Sequence, residues 1–260
     1  MGFVDIAQTP LAPGVSPARI HYREAGRGSP IVFLHGGWGY DMYPFDRQIA
    51  ALASRRRLVI PDRSGYGRSP SIDALPADFH RRAADETRAV IEALGLERPM
   101  LWGHSDGAII ALRLALAMPD RVSAVIAEAS HYFRRKPRSR GFFESVIANP
   151  ASTDIMRLHA RAWLQIGEDA ASDADDFYDG RLSEIFVPVL IIHGARDPRT
   201  EPGEIEALTS AATAGRASSV PTRAGVRVEV LSAAGHSPHS ESATADDVTR
   251  LAEQLIDART

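Results

Sequence analysis

Five residues, Gly103-His104-Ser105-Asp106-Gly107, constrain this chain more than any other stretch. They follow the apolar run Pro99-Met100-Leu101-Trp102 and precede Ala108-Ile109-Ile110-Ala111-Leu112. An apolar run of strand length, a serine flanked two positions away on each side by glycine, and then a longer apolar stretch read as strand, sharp turn and helix. A turn that tight has no room for side chains at the glycine positions, and it holds the serine in a strained conformation. The strain lifts the hydroxyl above the sheet edge. It also sets the next backbone N–H at the positive end of a helix, where it can stabilise a developing oxyanion.

The rest of the chain supplies a sheet for that turn to stand on. Arg19 to Glu24 alternates like a half-exposed strand, and Ile31 to Leu34 is a continuous apolar run expected of a buried one. Further strands are expected over Arg57 to Pro61, Val122 to Ala127 and Val187 to His193, with an alternating edge strand over Val226 to Leu231. Helical spacing is read over Ala77 to Leu94, ending at Gly95, over Ala108 to Met118 before Pro119, and over Ser240 to Ile256. Strands alternating with helices imply parallel pairing and right-handed crossovers, so the fold class is α/β, with a mostly parallel doubly wound sheet. Ligands of such sheets bind at the C-terminal ends of the strands.

Two regions break the alternation. Residues 131–182 carry a basic run (Arg134, Arg135, Lys136, Arg138, Arg140), scattered aromatics and an acidic run, and are too long for a simple loop. They are read as a small helical cap inserted into a core made of residues 1–130 and 183–260. Ala211 to Gly225, rich in small residues, is read as a mobile loop.

A serine hydroxyl needs a base to become a nucleophile, and the base needs an acid to orient it. Of nine histidines, His236 lies just past the strand ending at Leu231 and before the last helix, on the same sheet edge as Ser105. His239 is its nearest competitor, whereas His35, His104 and His193 are read as structural. Asp197 follows the strand at Val187 to Ile192 and is the candidate acid; Glu128, at the end of Val122 to Ala127, is the rival. An oxyanion needs two donors. One is the N–H of Asp106, and the second comes from His35-Gly36-Gly37-Trp38-Gly39 after an earlier strand, with Gly37 the first choice and Trp38 the second.

The order Ser105, Asp197, His236 completes a pattern. With HGGWG, the DRSGYGRS stretch at Asp62 to Ser69, GHSDG, HGARDP and AGHS, the sequence resembles the α/β-hydrolase superfamily over nearly its full length. The resemblance implies a serine hydrolase that needs no cofactor or metal and cleaves a small ester, or a related amide or thioester. DRSGYGRS, GHSDGAIIAL and HGARDP are also similar to the valacyclovirase-like esterase branch. That likeness implies a substrate contact at Asp106, whose carboxylate would take an ammonium group; Trp38 is a further candidate for substrate contact. The alternative for Asp106 is a local hydrogen-bond acceptor. Relatives that use a carboxylate nucleophile carry it at the apex of the turn, where this chain has Ser105.

Composition narrows what remains. There are no cysteines, which excludes disulfides, thiolate catalysis and Cys-based metal sites. A net charge of −3 gives no reason to expect nucleic acid or an anionic membrane as partner, so the expected partner is a small-molecule substrate. Neither a signal peptide nor a membrane span is read, and a cytoplasmic enzyme is the expectation. Three functions fit these residues. The first is ester hydrolysis through an acyl-enzyme. The second is carbon–carbon bond hydrolysis or perhydrolysis with the same groups, and the third is a receptor-like ligand binder with negligible turnover.

Overall fold

The computed structural model describes residues 1–214 and 225–258. Eight strands form one sheet: β1 (Gly2–Ile6), β2 (Ala18–Ala25), β3 (Pro30–Leu34), β4 (Arg57–Pro61), β5 (Met100–His104), β6 (Ala124–Glu128), β7 (Val189–Gly194) and β8 (Val226–Leu231). Their order is β1-β2-β4-β3-β5-β6-β7-β8. β2 runs antiparallel to β1 and β4, and the pairs from β4 to β8 are parallel.

The continuous apolar runs are explained by burial on both faces. Val32, Leu34, Leu101, Val125, Ala127, Val189 and Ile191 point into one core. Their neighbours Ile31, Phe33, Trp102, Ala124, Ile126, Leu190 and Ile192 point into the other. The two-residue period sends alternate side chains to opposite faces, and helices cover both. α2 (Phe79–Ala93) and α3 (Asp106–Ala117) pack on the first face; α1 (Asp46–Leu52) and α7 (Ala245–Asp257) lie on the second. α2 ends as expected at Gly95, whose φ of 60° lets Leu96 N–H reach the Ile91 carbonyl (3.0 Å) and Gly95 N–H the Glu92 carbonyl (3.1 Å).

Between β6 and β7 lie α4 (Pro137–Ala148) and α5 (Asp154–Asp169), which pack on each other, followed by a 3₁₀ turn at Leu182–Glu184. Thr153 caps α5 by accepting the Met156 N–H at 3.4 Å. Phe143, Ala160, Trp163, Ile166, Phe177 and Tyr178 from this segment join the core formed by α2 and α3. Its apolar side chains are thus continuous with the main core.

β1 and α1 were not anticipated. β1 is a half-buried edge strand held on one side only, by β2, and α1 has seven residues and no side-chain cap. α6 (Glu204–Thr213) runs into the stretch read as a mobile loop, of which residues 215–224 lie outside the described residues. Among the described residues, no helix is long and apolar enough to cross a membrane.

Candidate active site

Chain direction changes at the centre of the sheet: from β3 the chain steps outward to β4, then returns to place β5 on the other side of β3. The loops leaving β3 and β5 therefore diverge and open a crevice at their C-terminal ends. Leu34 and Gly103 are register partners, so the loop beginning at His35 and the turn at Ser105 start side by side.

Ser105 forms that turn at φ 56° and ψ −118°, outside the common regions for a residue with a side chain. Two close approaches hold it there. A Cβ on Gly103 would overlap the Gly107 carbonyl, and one on Gly107 would overlap the Leu34 carbonyl. Ser105 N–H donates to the Glu128 carbonyl at 2.8 Å, tying the turn to β6.

The loops after β7 and β8 bring the other two residues in. They pack so tightly that a Cβ on Gly194 would overlap the Gly235 carbonyl. His236 Nδ1 lies 2.8 Å from Asp197 Oδ2, and His236 Nε2 lies 3.1 Å from Ser105 Oγ. Asp197 Oδ1 also accepts the Arg199 N–H at 2.9 Å. Burial works against the Asp197 charge, but the His236 hydrogen bond and charge outweigh it and bring the pKa down to about 2. Burial lowers the His236 pKa, with the Asp197 bond opposing it, so the imidazole is neutral and basic at neutral pH. An ionised acceptor at Nδ1 fixes the proton there and leaves the Nε2 lone pair for the serine.

The two rivals are engaged elsewhere. Glu128 accepts from His239 at both the backbone N–H (2.7 Å) and Nδ1 (2.8 Å) through one oxygen, and from Trp102 Nε1 (3.3 Å) through the other. His239 Nε2 faces the Tyr43 carbonyl at 3.0 Å, not Ser105. His104 Nε2 meets the His236 carbonyl at 2.9 Å, and His193 Nε2 meets the Ser130 carbonyl at 2.9 Å.

The loop after β3 is set by its own polar contacts. Burial lowers the His35 pKa to about 3, so its ring is neutral. Its Nε2 accepts the Arg63 N–H at 3.2 Å, so its Nδ1–H donates to the Gly36 carbonyl at 2.8 Å. Because a trans peptide points its C=O and N–H in opposite directions, fixing the Gly36 carbonyl also fixes where the Gly37 N–H points. Tyr66 O–H donates to the Gly37 carbonyl at 2.7 Å and holds the next peptide.

Gly37, Trp38 and Ser105 share a pocket with Phe143 of α4 and with His159 and Trp163 of α5. The cavity they line is small, about 10 Å³. A wider groove of about 430 Å³ lies at the other end of the strands, around Pro30 and Met100, remote from these groups.

Asp106 has zero exposure and does not line the pocket. Its carboxylate accepts from His80 Nε2 (2.8 Å), Trp163 Nε1 (3.2 Å) and His159 Nε2, and Arg63 stands 4.0 Å away. Burial alone would raise its pKa; the charge and hydrogen bond of His159, then those of His80, keep it well below the usual carboxylate range. The oxygens expected to bind a substrate ammonium are thus taken by the protein's own donors, and the alternative of a local acceptor fits the geometry. Trp38 does line the pocket, 5.2 Å from the His159 ring. His80, His159 and Trp163 were not among the sequence candidates. Their only signal was polar or aromatic side chains within otherwise helical stretches. Among the described residues, no group of three or more His, Cys, Asp or Glu side chains is arranged to hold a metal ion.

A sequence profile of the Alpha/beta hydrolase family matches residues 31–250. The chain belongs to that family. Over 124 residues it is 34% identical to the 2-hydroxy-6-oxo-6-phenylhexa-2,4-dienoate hydrolase of Burkholderia cepacia, covering 44% of this chain and 40% of that one. Over 111 residues it is 36% identical to the pimeloyl-[acyl-carrier protein] methyl ester esterase of Aliivibrio salmonicida, covering 43% and 40%. The matched stretch thus spans less than half the length of these curated relatives. A thermophilic esterase from Thermogutta terrifontis superposes with a TM-score of 0.68 at 22% identity, covering 100% of both chains, which shows the shared fold.

Proposed function

We propose that this α/β-hydrolase is a serine esterase that cleaves a small-molecule ester, or a related amide or thioester, through an acyl-enzyme. The observation that carries this reading is the unbroken line Asp197–His236–Ser105, at 2.8 and 3.1 Å, ending on a serine in the strained turn. Ser105 Oγ attacks the acyl carbon while His236 Nε2 takes its proton. The tetrahedral oxyanion is held by the N–H groups of Asp106, at the start of α3, and Gly37, with Trp38 N–H the next donor along the loop. The imidazolium formed on His236 is stabilised by Asp197 and protonates the departing alkoxide. Water, deprotonated by His236, then attacks the acyl carbon, and collapse frees the carboxylic acid and restores Ser105.

Treatment with an alkyl fluorophosphonate followed by peptide mass spectrometry tests this. The expected adduct is on Ser105, with turnover of p-nitrophenyl acetate abolished by Ser105→Ala. Folded protein that carries no adduct on Ser105 overturns the reading. The same groups suit hydrolysis of a carbon–carbon bond, and product analysis on a β-diketone against a simple ester separates the two reactions.

A further inference from the structure

The polar wall of the pocket around Ser105 carries two cationic side chains, Lys136 and Arg199. Among the described residues, no aspartate or glutamate lines it. The nearest carboxylates are already occupied: Asp197 by His236, and Asp106 by His80, His159 and Trp163. Lys136, the chain's single lysine, lines the pocket but is buried in an ion pair with Glu204 that takes both carboxylate oxygens. Its charge is therefore spent inside the protein.

Arg199 differs. Its guanidinium lies 4.4 Å over the Phe142 ring and 5.7 Å from that of Trp38, with the Tyr43 side chain nearby. Among the described residues no carboxylate forms a salt bridge with it, and the charges of Asp197 and Asp106 reach it only from a greater distance. Its backbone is clamped between the triad acid and α4: Arg199 N–H donates to Asp197 at 2.9 Å, and its carbonyl accepts from Lys136 Nζ and Ser139 Oγ, each at 3.4 Å. A cation carried on aromatic rings, fixed at its backbone and lining the pocket is preorganised for a planar anion. Among the described residues, two buried imidazole nitrogens of lining side chains, Nδ1 of His131 and Nδ1 of His159, have no hydrogen-bond partner, in keeping with a polar ligand completing the site.

We propose that Arg199 is the substrate's carboxylate anchor, so that this site takes small esters whose acyl part ends in a carboxylate, such as monoesters of short dicarboxylic acids. This rests on the serine-esterase reading. A pocket with an unpaired guanidinium and no carboxylate would discriminate against an amino ester and for an anion. It reverses the charge preference implied by the valacyclovirase-like likeness.

Matched esters test it: monomethyl glutarate, which carries the anion, against methyl valerate, its near-isosteric neutral counterpart. The wild-type protein is expected to favour the anion by about 10- to 100-fold in kcat/KM, the usual range for one charge-assisted contact. Arg199→Gln is expected to collapse that ratio towards one, mainly through KM, and Arg199→Lys to restore part of it. Calorimetry of monomethyl glutarate with Ser105→Ala, and with Ser105→Ala combined with Arg199→Gln, reads the anchor without turnover. Binding should be measurable in the first and weakened about 10-fold or more in the second. Equal kcat/KM for the two esters, or a preference that survives Arg199→Gln, overturns the proposal. So does binding to Ser105→Ala that Arg199→Gln leaves unchanged. An unlabelled Ser105 would sink the esterase reading by itself, while the calorimetry would still decide the anchor.

Discussion

Two carboxylate–imidazole pairs stand side by side at the end of this sheet. Asp197–His236 and Glu128–His239 are each joined through Nδ1 at 2.8 Å, and the two histidines are three residues apart. They differ in what the far nitrogen meets. Nε2 of His236 faces the Ser105 hydroxyl at 3.1 Å, whereas Nε2 of His239 faces the Tyr43 carbonyl at 3.0 Å and its ring stacks on Phe45. A hydroxyl can give up a proton and become a nucleophile; a carbonyl has none to give. The pairing alone therefore does not make a base. The first pair is suited to chemistry and the second to holding β6 against the final loop.

The largest effects should come from breaking the first pair's chain. Ser105→Ala or His236→Ala should lower kcat by about 10⁴- to 10⁶-fold, measured on p-nitrophenyl acetate with the protein shown to be folded. Asp197→Asn should cost about 10⁴-fold, because the amide no longer fixes the imidazole tautomer or balances its charge. Glu128→Gln sharpens the contrast. It should leave the hydrolysis rate close to wild type and instead lower unfolding stability by about 2 kcal/mol in urea melts, since an amide cannot satisfy the His239 and Trp102 donors together. A large loss of rate with unchanged stability would mean that the two pairs have been assigned the wrong way round.

The smallest effect is in pH. The proposed mechanism needs neutral His236, and burial lowers its pKa, so neutral imidazole persists to a lower pH than usual. The acid limb of kcat/KM should therefore have its midpoint below the free imidazole value of about 6.5, with a plateau above it. The Asp197 bond opposes that lowering, so in Asp197→Asn the residual activity should show a limb at still lower pH. A midpoint above the free value in the wild type would contradict the burial argument.

Much of this architecture was legible because it is written in local patterns. The apolar runs at Ile31, Arg57, Met100 and Val189 became strands within two or three residues of the expected ends, since a strand buried on both faces has a simple composition. The turn at Ser105 depends on two glycines within two residues of it, and Gly95 ends α2 as read. β1 was missed because a half-buried edge strand owes its register to β2. α4 and α5 were read only as a helical insertion, and their ends emerged with packing.

Local sequence was enough to set the alternation of strands and helices, the strained serine, and the order in which Asp197 and His236 follow it. All of these rest on backbone preferences and on periodicities a few residues long. Only the tertiary structure decided which polar groups were left free for a ligand. Asp106 meets His80, 26 residues before it, and His159, 53 residues after it. Lys136 meets Glu204, 68 residues away, while Arg199, two residues after Asp197, forms no salt bridge among the described residues and rests on aromatic rings. A buried charge takes whichever opposite group packing brings near, and sequence spacing does not encode that choice.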